Sequence, residues 1–121
     1  MIVKALKTHK IEPLAHGNYG EFVDQYITEL EEKNIVAITS KAIAIMQGRV
    51  VRKGVDKNKL IEKEADLFIP PNSTKYPFYL TIKNNILIPN AGIDESNADN
   101  HYILWPVNPQ RVVNDIRAFL V

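Results

Sequence analysis

Two short apolar runs, residues 79–82 and 86–88, stand on either side of Lys83, Asn84 and Asn85, and this spacing constrains the fold more than any other feature of the chain. Asn tolerates positive φ, so the polar triplet predicts a tight turn between two antiparallel strands. Elsewhere the apolar spacing switches between two periods. Residues 2–8 alternate apolar and polar side chains and predict a strand. Phe22, Val23, Tyr26, Ile27 and Leu30 recur at helical spacing and predict a helix over about 21–32. Residues 35–39 form a short β-branched run, read as a buried strand; Ser40 follows as an N-cap, residues 41–47 favour helix, and Gly48 stops it. A further helix is predicted over 60–67, capped by Asp56 or Asn58, and a strand over 102–105. A last helix opens with Asn108 as cap and Pro109 at the first helical position. Irregular alternation of strands and helices, with a hairpin among them, predicts an α+β fold: a mixed β-sheet with a hairpin and three to four helices.

At 121 residues the chain is expected to be one domain, residues 1–121, long enough to bury a core. Its 15 basic and 14 acidic residues leave a net charge of +1, which gives no support to nucleic acid or an anionic membrane as a partner. Lys53, Lys57, Lys59 and Lys63 are interleaved with Asp56, Glu62 and Glu64, the pattern of a solvated face. Cysteine is absent, so disulfides, thiolate zinc sites and cysteine nucleophiles are excluded. The start, Met1-Ile2-Val3-Lys4-Ala5-Leu6, does not read as a signal peptide, and no apolar stretch is long enough to span a bilayer, so the cytoplasm is the expected location.

Two segments carry candidate chemistry. The hairpin's second run ends in Pro89 and gives way to Asn90-Ala91-Gly92-Ile93-Asp94-Glu95-Ser96-Asn97, with two carboxylates, two carboxamides and a hydroxyl. Such oxygen donors suit hard cations and polar ligands, and equally an ordinary Asx-rich turn. The segment is expected to be an exposed loop with the Asp94 carboxylate open to solvent. The second is Thr39-Ser40-Lys41, at a predicted strand-to-helix junction. Backbone N–H groups and a lysine there attract anions; a plain cap and a solvated lysine are the alternative. His9, His16 and His101 are not at metal-ligand spacing and read as surface or satisfied residues. Neither a Walker A sequence nor a Gly-x-Ser-x-Gly elbow is present.

Together these segments resemble the N-terminal part of the coenzyme F-420:L-glutamate ligase family, whose members join glutamate to a deazaflavin coenzyme through a gamma-glutamyl bond. The matching motifs are Ile35-Val36-Ala37-Ile38-Thr39-Ser40-Lys41 closing on Gly48-Arg49-Val50-Val51, then Ala91 to Asn97, then Tyr102-Ile103-Leu104-Trp105-Pro106 and a helix carrying Arg111 and Arg117. Leu60-Ile61-Glu62 with Glu64 fits the family's acidic helix after Gly-Arg. The resemblance implies a gamma-glutamyl ligase-like domain that uses GTP and a divalent metal (Mg or Mn). In that reading GTP phosphorylates a carboxylate of the coenzyme precursor, and the glutamate amine attacks that acyl phosphate and displaces phosphate. It puts nucleotide contacts on Ile11, Glu12, Pro13 and Leu14, on Ser40 and Lys41, and on Asn97, and a metal ligand on Asp94; it names no catalytic residue.

The departures weigh against full activity. A nucleotide-contacting lysine of the family is Ile45 here, a carboxylate is Gln47, and an early acidic pair is Asn18-Tyr19. The family's second part, with further metal ligands, would lie beyond Val121, so the chain is expected to be a truncated relative, a fragment of a longer protein, or one half of a two-chain enzyme. The chain on its own is therefore read as a binding domain, or a fragment of a GTP-dependent gamma-glutamyl ligase, rather than a complete ligase; the alternative is a non-enzymatic interaction module with a decayed site that retains neither GTP nor metal. Family analogy also implies a dimer. A homo-oligomer is expected from the last helix as well, whose apolar stripe Val112, Val113, Ile116, Phe119 and Leu120 reaches the terminus.

Overall fold

The computed structural model describes residues 1–12, 17–95 and 99–121. Helix α1, Tyr19–Tyr26, begins where Asn18 Oδ1 accepts from the Gly20 N–H at 2.8 Å. It stops short of the predicted residue 32. Glu29, Glu31 and Glu32 would sit at the negative end of the helix dipole, and Leu30 is exposed with no face to bury against. Helix α2, Ser40–Met46, is capped by Thr39 rather than Ser40: Thr39 Oγ1 accepts from the Ala42 N–H. It ends as expected at Gly48 (φ 72°), where the Gly48 and Arg49 N–H groups return to the Ile45 and Ala44 carbonyls.

Strand β1, Val50–Arg52, leads to α3, Lys57–Glu64, which Asp56 caps through the Asn58 and Lys59 N–H groups. Then come β2, Leu67–Ile69, β3, Leu80–Lys83, β4, Ile86–Pro89, and β5, His101–Ile103. The predicted hairpin is β3–β4, with Asn84 and Asn85 both left-handed (φ 50° and 61°). Helix α4, Pro109–Leu120, has Pro at its first position; Asn108 precedes it in a left-handed conformation and makes no side-chain cap.

The α+β class holds, with four helices and antiparallel ladders in two small sheets, β1–β5 and β2–β3–β4. Two predicted strands do not form. Residues 2–8 are exposed and join no ladder, and of residues 35–39 only Val36 and Ile38 are even partly buried. Alternation and β-branching make a segment able to pair, but a strand needs a neighbour, and the described residues offer none to either segment.

The β1–β5 ribbon separates the cores. On one side Ile61, Tyr79, Ala91, Ile93, Tyr102 and Leu104 pack beneath α3. On the other, Ala44, Ile45 and Ile103 meet α2, next to a helical core of Val23, Ile43, Met46, Val112 and Ile116. Thr81, 1% exposed, pins the hairpin to the segment after it: its hydroxyl donates to the Ile88 carbonyl and accepts from the Ala91 N–H at 2.8 Å. Among the described residues no helix is long and apolar enough to cross a membrane.

Candidate functional site

Residues 90–93, after β4, are not the exposed loop expected from the segment's polar composition, whereas the Asp94 carboxylate is accessible as expected. Asn90, Ala91 and Gly92 form a left-handed turn (φ 52°, 54° and 73°) with Ala91 fully buried and Ile93 in the core. Asn90 spends its carboxamide on structure: its Oδ1 accepts from the Tyr79 N–H. Gly92 is required by space as well as by φ, since a Cβ there would stand 2.7 Å from Trp105 Cε3 and 3.2 Å from Ile88 Cδ1. Within residues 90–95, the described part of the segment, the carboxylates of Asp94 and Glu95 reach the surface.

Asp94 extends the ribbon by pairing with Ile103. The Asp94 N–H donates to the Ile103 carbonyl at 2.9 Å, and the Ile103 N–H donates back at 2.7 Å. Side chains alternate along an extended chain, so Asp94 and Glu95 leave on opposite faces. Asp94 leaves on the α2 face, where Lys41 Nζ lies 3.0 Å from its Oδ2. Both side chains are half exposed, at 29% for Lys41 and 39% for Asp94, so the pair is accessible and adds little to stability. Glu95 leaves on the α3 face. There it binds Lys57 Nζ and lies 3.7 Å from Lys53 Nζ, and both ammonium groups sit over the Tyr102 ring at 5.9 and 5.6 Å. The hydrogen bond from Lys57 holds the Glu95 carboxyl below its ordinary range.

The predicted nucleotide contacts divide between two places. Ser40 opens α2, and the next residue, Lys41, reaches Asp94. Ile11 and Glu12 instead line a separate open cleft of about 280 Å³, with His9, Lys10, Phe22 and Met46 along its wall. Lys10 links that segment back toward the Asp94 loop, reaching Asp99 at 3.0 Å and Glu12 at 3.6 Å. The hydrogen bond raises the Lys10 pKa and lowers that of Asp99. Pro13, Leu14 and Asn97 lie outside the described residues. His9 is engaged by the Tyr26 hydroxyl and His101 by the Asp99 carbonyl, in keeping with satisfied histidines; His16 is outside the described residues.

Several motif positions hold up the fold. The Ile45 side chain is buried with Ala44 and Ile103, against Ile11 and Val50, and points away from solvent. Gln47 clamps the approach to α4: its Nε2 donates to the Val107 carbonyl at 3.0 Å, and its Oε1 accepts from the Val107 N–H at 2.8 Å. Arg49 donates through Nε to the Trp105 carbonyl at 3.0 Å and through Nη2 to Glu64, while Lys83 Nζ donates to the Glu64 carbonyl at 2.6 Å. Glu62 accepts from the Tyr79 hydroxyl at 2.7 Å.

A family model described as F420-0:Gamma-glutamyl ligase matches residues 17–121. The chain belongs to this family. No curated protein matches it. Within the F420-0:Gamma-glutamyl ligase frame, the Thr39-Ser40-Lys41 and Asp94 motifs, far apart in sequence, meet at one ion pair. Lys53, Lys57, Glu95 and Tyr102 were missed from sequence because interleaved charges look like a solvated face. The available signal was the alternation of Ile93, Asp94 and Glu95 against Tyr102 and Ile103, which sends Glu95 to the tyrosine's side of the ribbon.

Proposed function

We propose that this gamma-glutamyl ligase-family domain binds GTP at the Lys41–Asp94 junction and is not a complete ligase through the residues described here. The observation that carries the reading is the 3.0 Å contact that brings the family's two motif segments together at an accessible place. The Lys41 ammonium can meet phosphate oxygens as a point charge, and Ser40, the first residue of α2, carries a hydroxyl able to donate or accept.

The divalent metal fits less well. A hard cation takes six or more oxygen ligands. Asp94 supplies one carboxylate, already engaged by an ammonium, and Glu95 faces the other way. Among the described residues no group of three or more His, Asp or Glu side chains is placed to hold a metal ion. Ile45 in the core and Gln47 on Val107 support a second reading, an interaction module that keeps the fold and has lost the ligation site.

Calorimetric titration with GTP separates the two. Binding is expected to be weak, with a dissociation constant on the order of 10⁻⁴ M. Lys41→Ala should weaken it at least tenfold, about 1.4 kcal/mol or more. Equal affinity of wild type and variant, or no heat for either, would leave the interaction module as the function.

A further inference from the structure

Lys53 and Lys57 are two like charges that the fold holds in one place. Their backbones are anchored. The Lys53 N–H donates to the Asn100 carbonyl at 3.0 Å, and Lys57 is the first residue of α3, whose N-terminus Asp56 already caps. Beneath both lies Tyr102, paired with Val51 in the ribbon, 9% exposed and packed in the core under α3. The two Nζ atoms stand 5.6 and 5.9 Å from the centre of its ring, whose face attracts cations.

Two ammonium groups over one ring repel each other, and an anion between them offsets the repulsion. Among the described residues Glu95 is the one carboxylate at ion-pair distance from either. It gives one oxygen to Lys57 and holds the other 3.7 Å from Lys53. Asp56, next to Lys57 in sequence, spends its Oδ1 on the Asn58 and Lys59 N–H groups. One carboxylate against two ammonium groups leaves one positive charge over. The cluster also opens to solvent: the side chains of Lys53, Lys57 and Glu95 are 34%, 30% and 47% exposed. Glu95, the most exposed of the three, is the member a ligand can replace, and its pose shows what fits: an oxyanion that offers an acceptor oxygen to each lysine.

We propose that Lys53 and Lys57, held over the Tyr102 ring, form a binding site for a small dianionic phosphate, inorganic or a monoester, and that Glu95 fills this site in the free protein. Charge and shape select the phosphate. Glu95 is tethered, so a free carboxylate of the same charge competes against a high effective concentration and loses. A phosphate dianion matches both ammonium groups, and its oxygens accept from each at once. The site lies on the α3 face of the ribbon, whereas Lys41 and Asp94 meet on the α2 face, so it does not rest on GTP binding there.

Titration of the full chain with inorganic phosphate at about pH 8, where the dianion dominates, tests it at constant ionic strength. The readout is the nuclear magnetic resonance of the lysine side chains and the Tyr102 ring. Lys53, Lys57 and Tyr102 are expected to shift together and saturate, with a dissociation constant on the order of 10⁻³ M. A parallel arm with glycerol 2-phosphate shows, by the tighter of the two, whether the site takes the free ion or the monoester. Acetate at the same concentrations should not saturate these signals. Glu95→Gln removes the tethered competitor and keeps both ammonium groups, so it should tighten phosphate at least about fivefold. Lys57→Gln should weaken it at least about tenfold, and Lys63→Gln, exposed near the end of α3, should leave it unchanged. The amide spectrum shows whether each variant keeps the fold, and Lys53→Gln replaces Lys57→Gln if α3 does not form. A Glu95→Gln variant that binds phosphate no better than wild type would overturn the proposal, because Glu95 would then be part of a plain ion pair and not a stand-in. So would acetate binding as well as phosphate, equal shifts at every lysine, or shifts confined to Lys41.

Discussion

Gly92 is the residue on which the candidate site depends most sharply. Its φ of 73° belongs to the left-handed region, and the Trp105 ring occupies the space a side chain would need. Gly92→Ala should therefore cost about 3 kcal/mol, from overpacking together with the left-handed penalty. Urea denaturation measures this directly; a loss under about 1 kcal/mol would mean that the turn relaxes freely. Gln47 makes a different kind of demand, because its carboxamide both donates to and accepts from Val107. Gln47→Glu keeps the acceptor and sets a carboxylate against the Val107 carbonyl, at an expected cost of about 1–2 kcal/mol at neutral pH. The deficit should shrink in acid, where the introduced carboxyl protonates and can donate again. A deficit that does not change with pH would argue against the two-way clamp. For Ile45, the buried position means that a lysine would place a charge in the core, so Ile45→Lys is expected to destabilise the fold rather than restore a nucleotide contact.

At the scale of elements, what could be read from sequence was the part decided locally. The two Asn residues of the hairpin turn, the Asp56 cap of α3, Gly48 after α2 and Pro109 opening α4 are short-range chemistry, and each stands where the sequence put it. What needed a partner was not legible. Residues 2–8 and 35–39 have strand composition but no neighbouring strand. The three-residue β1 is too short to show a period, and β2 was drawn into the tail of the α3 prediction because Leu67 continues its apolar spacing. The site shows the same division: Lys41 and Asp94 were found as motifs, but their meeting across the ribbon depends on the register of Asp94 with Ile103.

The N-terminal segment is tied to the rest by Lys10 and Asp99, and this link has a defined pH window. Asp99 is held below its ordinary pKa by the hydrogen bond from Lys10, so its contribution is complete above the ordinary carboxylate range and is lost as pH falls through the lowered value. Lys10 is raised by the same bond, so its contribution is present below the ordinary lysine range and is lost as pH rises through the raised value. Backbone relaxation of residues 8–12 should show loosening between about pH 7 and about pH 3, and Asp99→Asn should reproduce it at neutral pH. Identical relaxation in all three conditions would remove the tether from the account.

The whole molecule is organised around one antiparallel ribbon with a core on each side. Its polar edge carries Asp94 and Lys41 on one face, and Glu95 with Lys53 and Lys57 on the other. The outer sheet turns an apolar face away from both cores. In this ligase-family chain Ile45 serves the core and Gln47 the link to Val107. The most direct measurement is a two-dimensional nitrogen–proton spectrum of the full chain, recorded while GTP is added. Binding at the proposed site should shift the amides of Ser40, Lys41, Ala42, Asp94 and Ile103, and leave Leu67, Phe68, Ile69 and Leu87 unmoved. An unchanged spectrum, or shifts centred away from Lys41 and Asp94, would contradict the account.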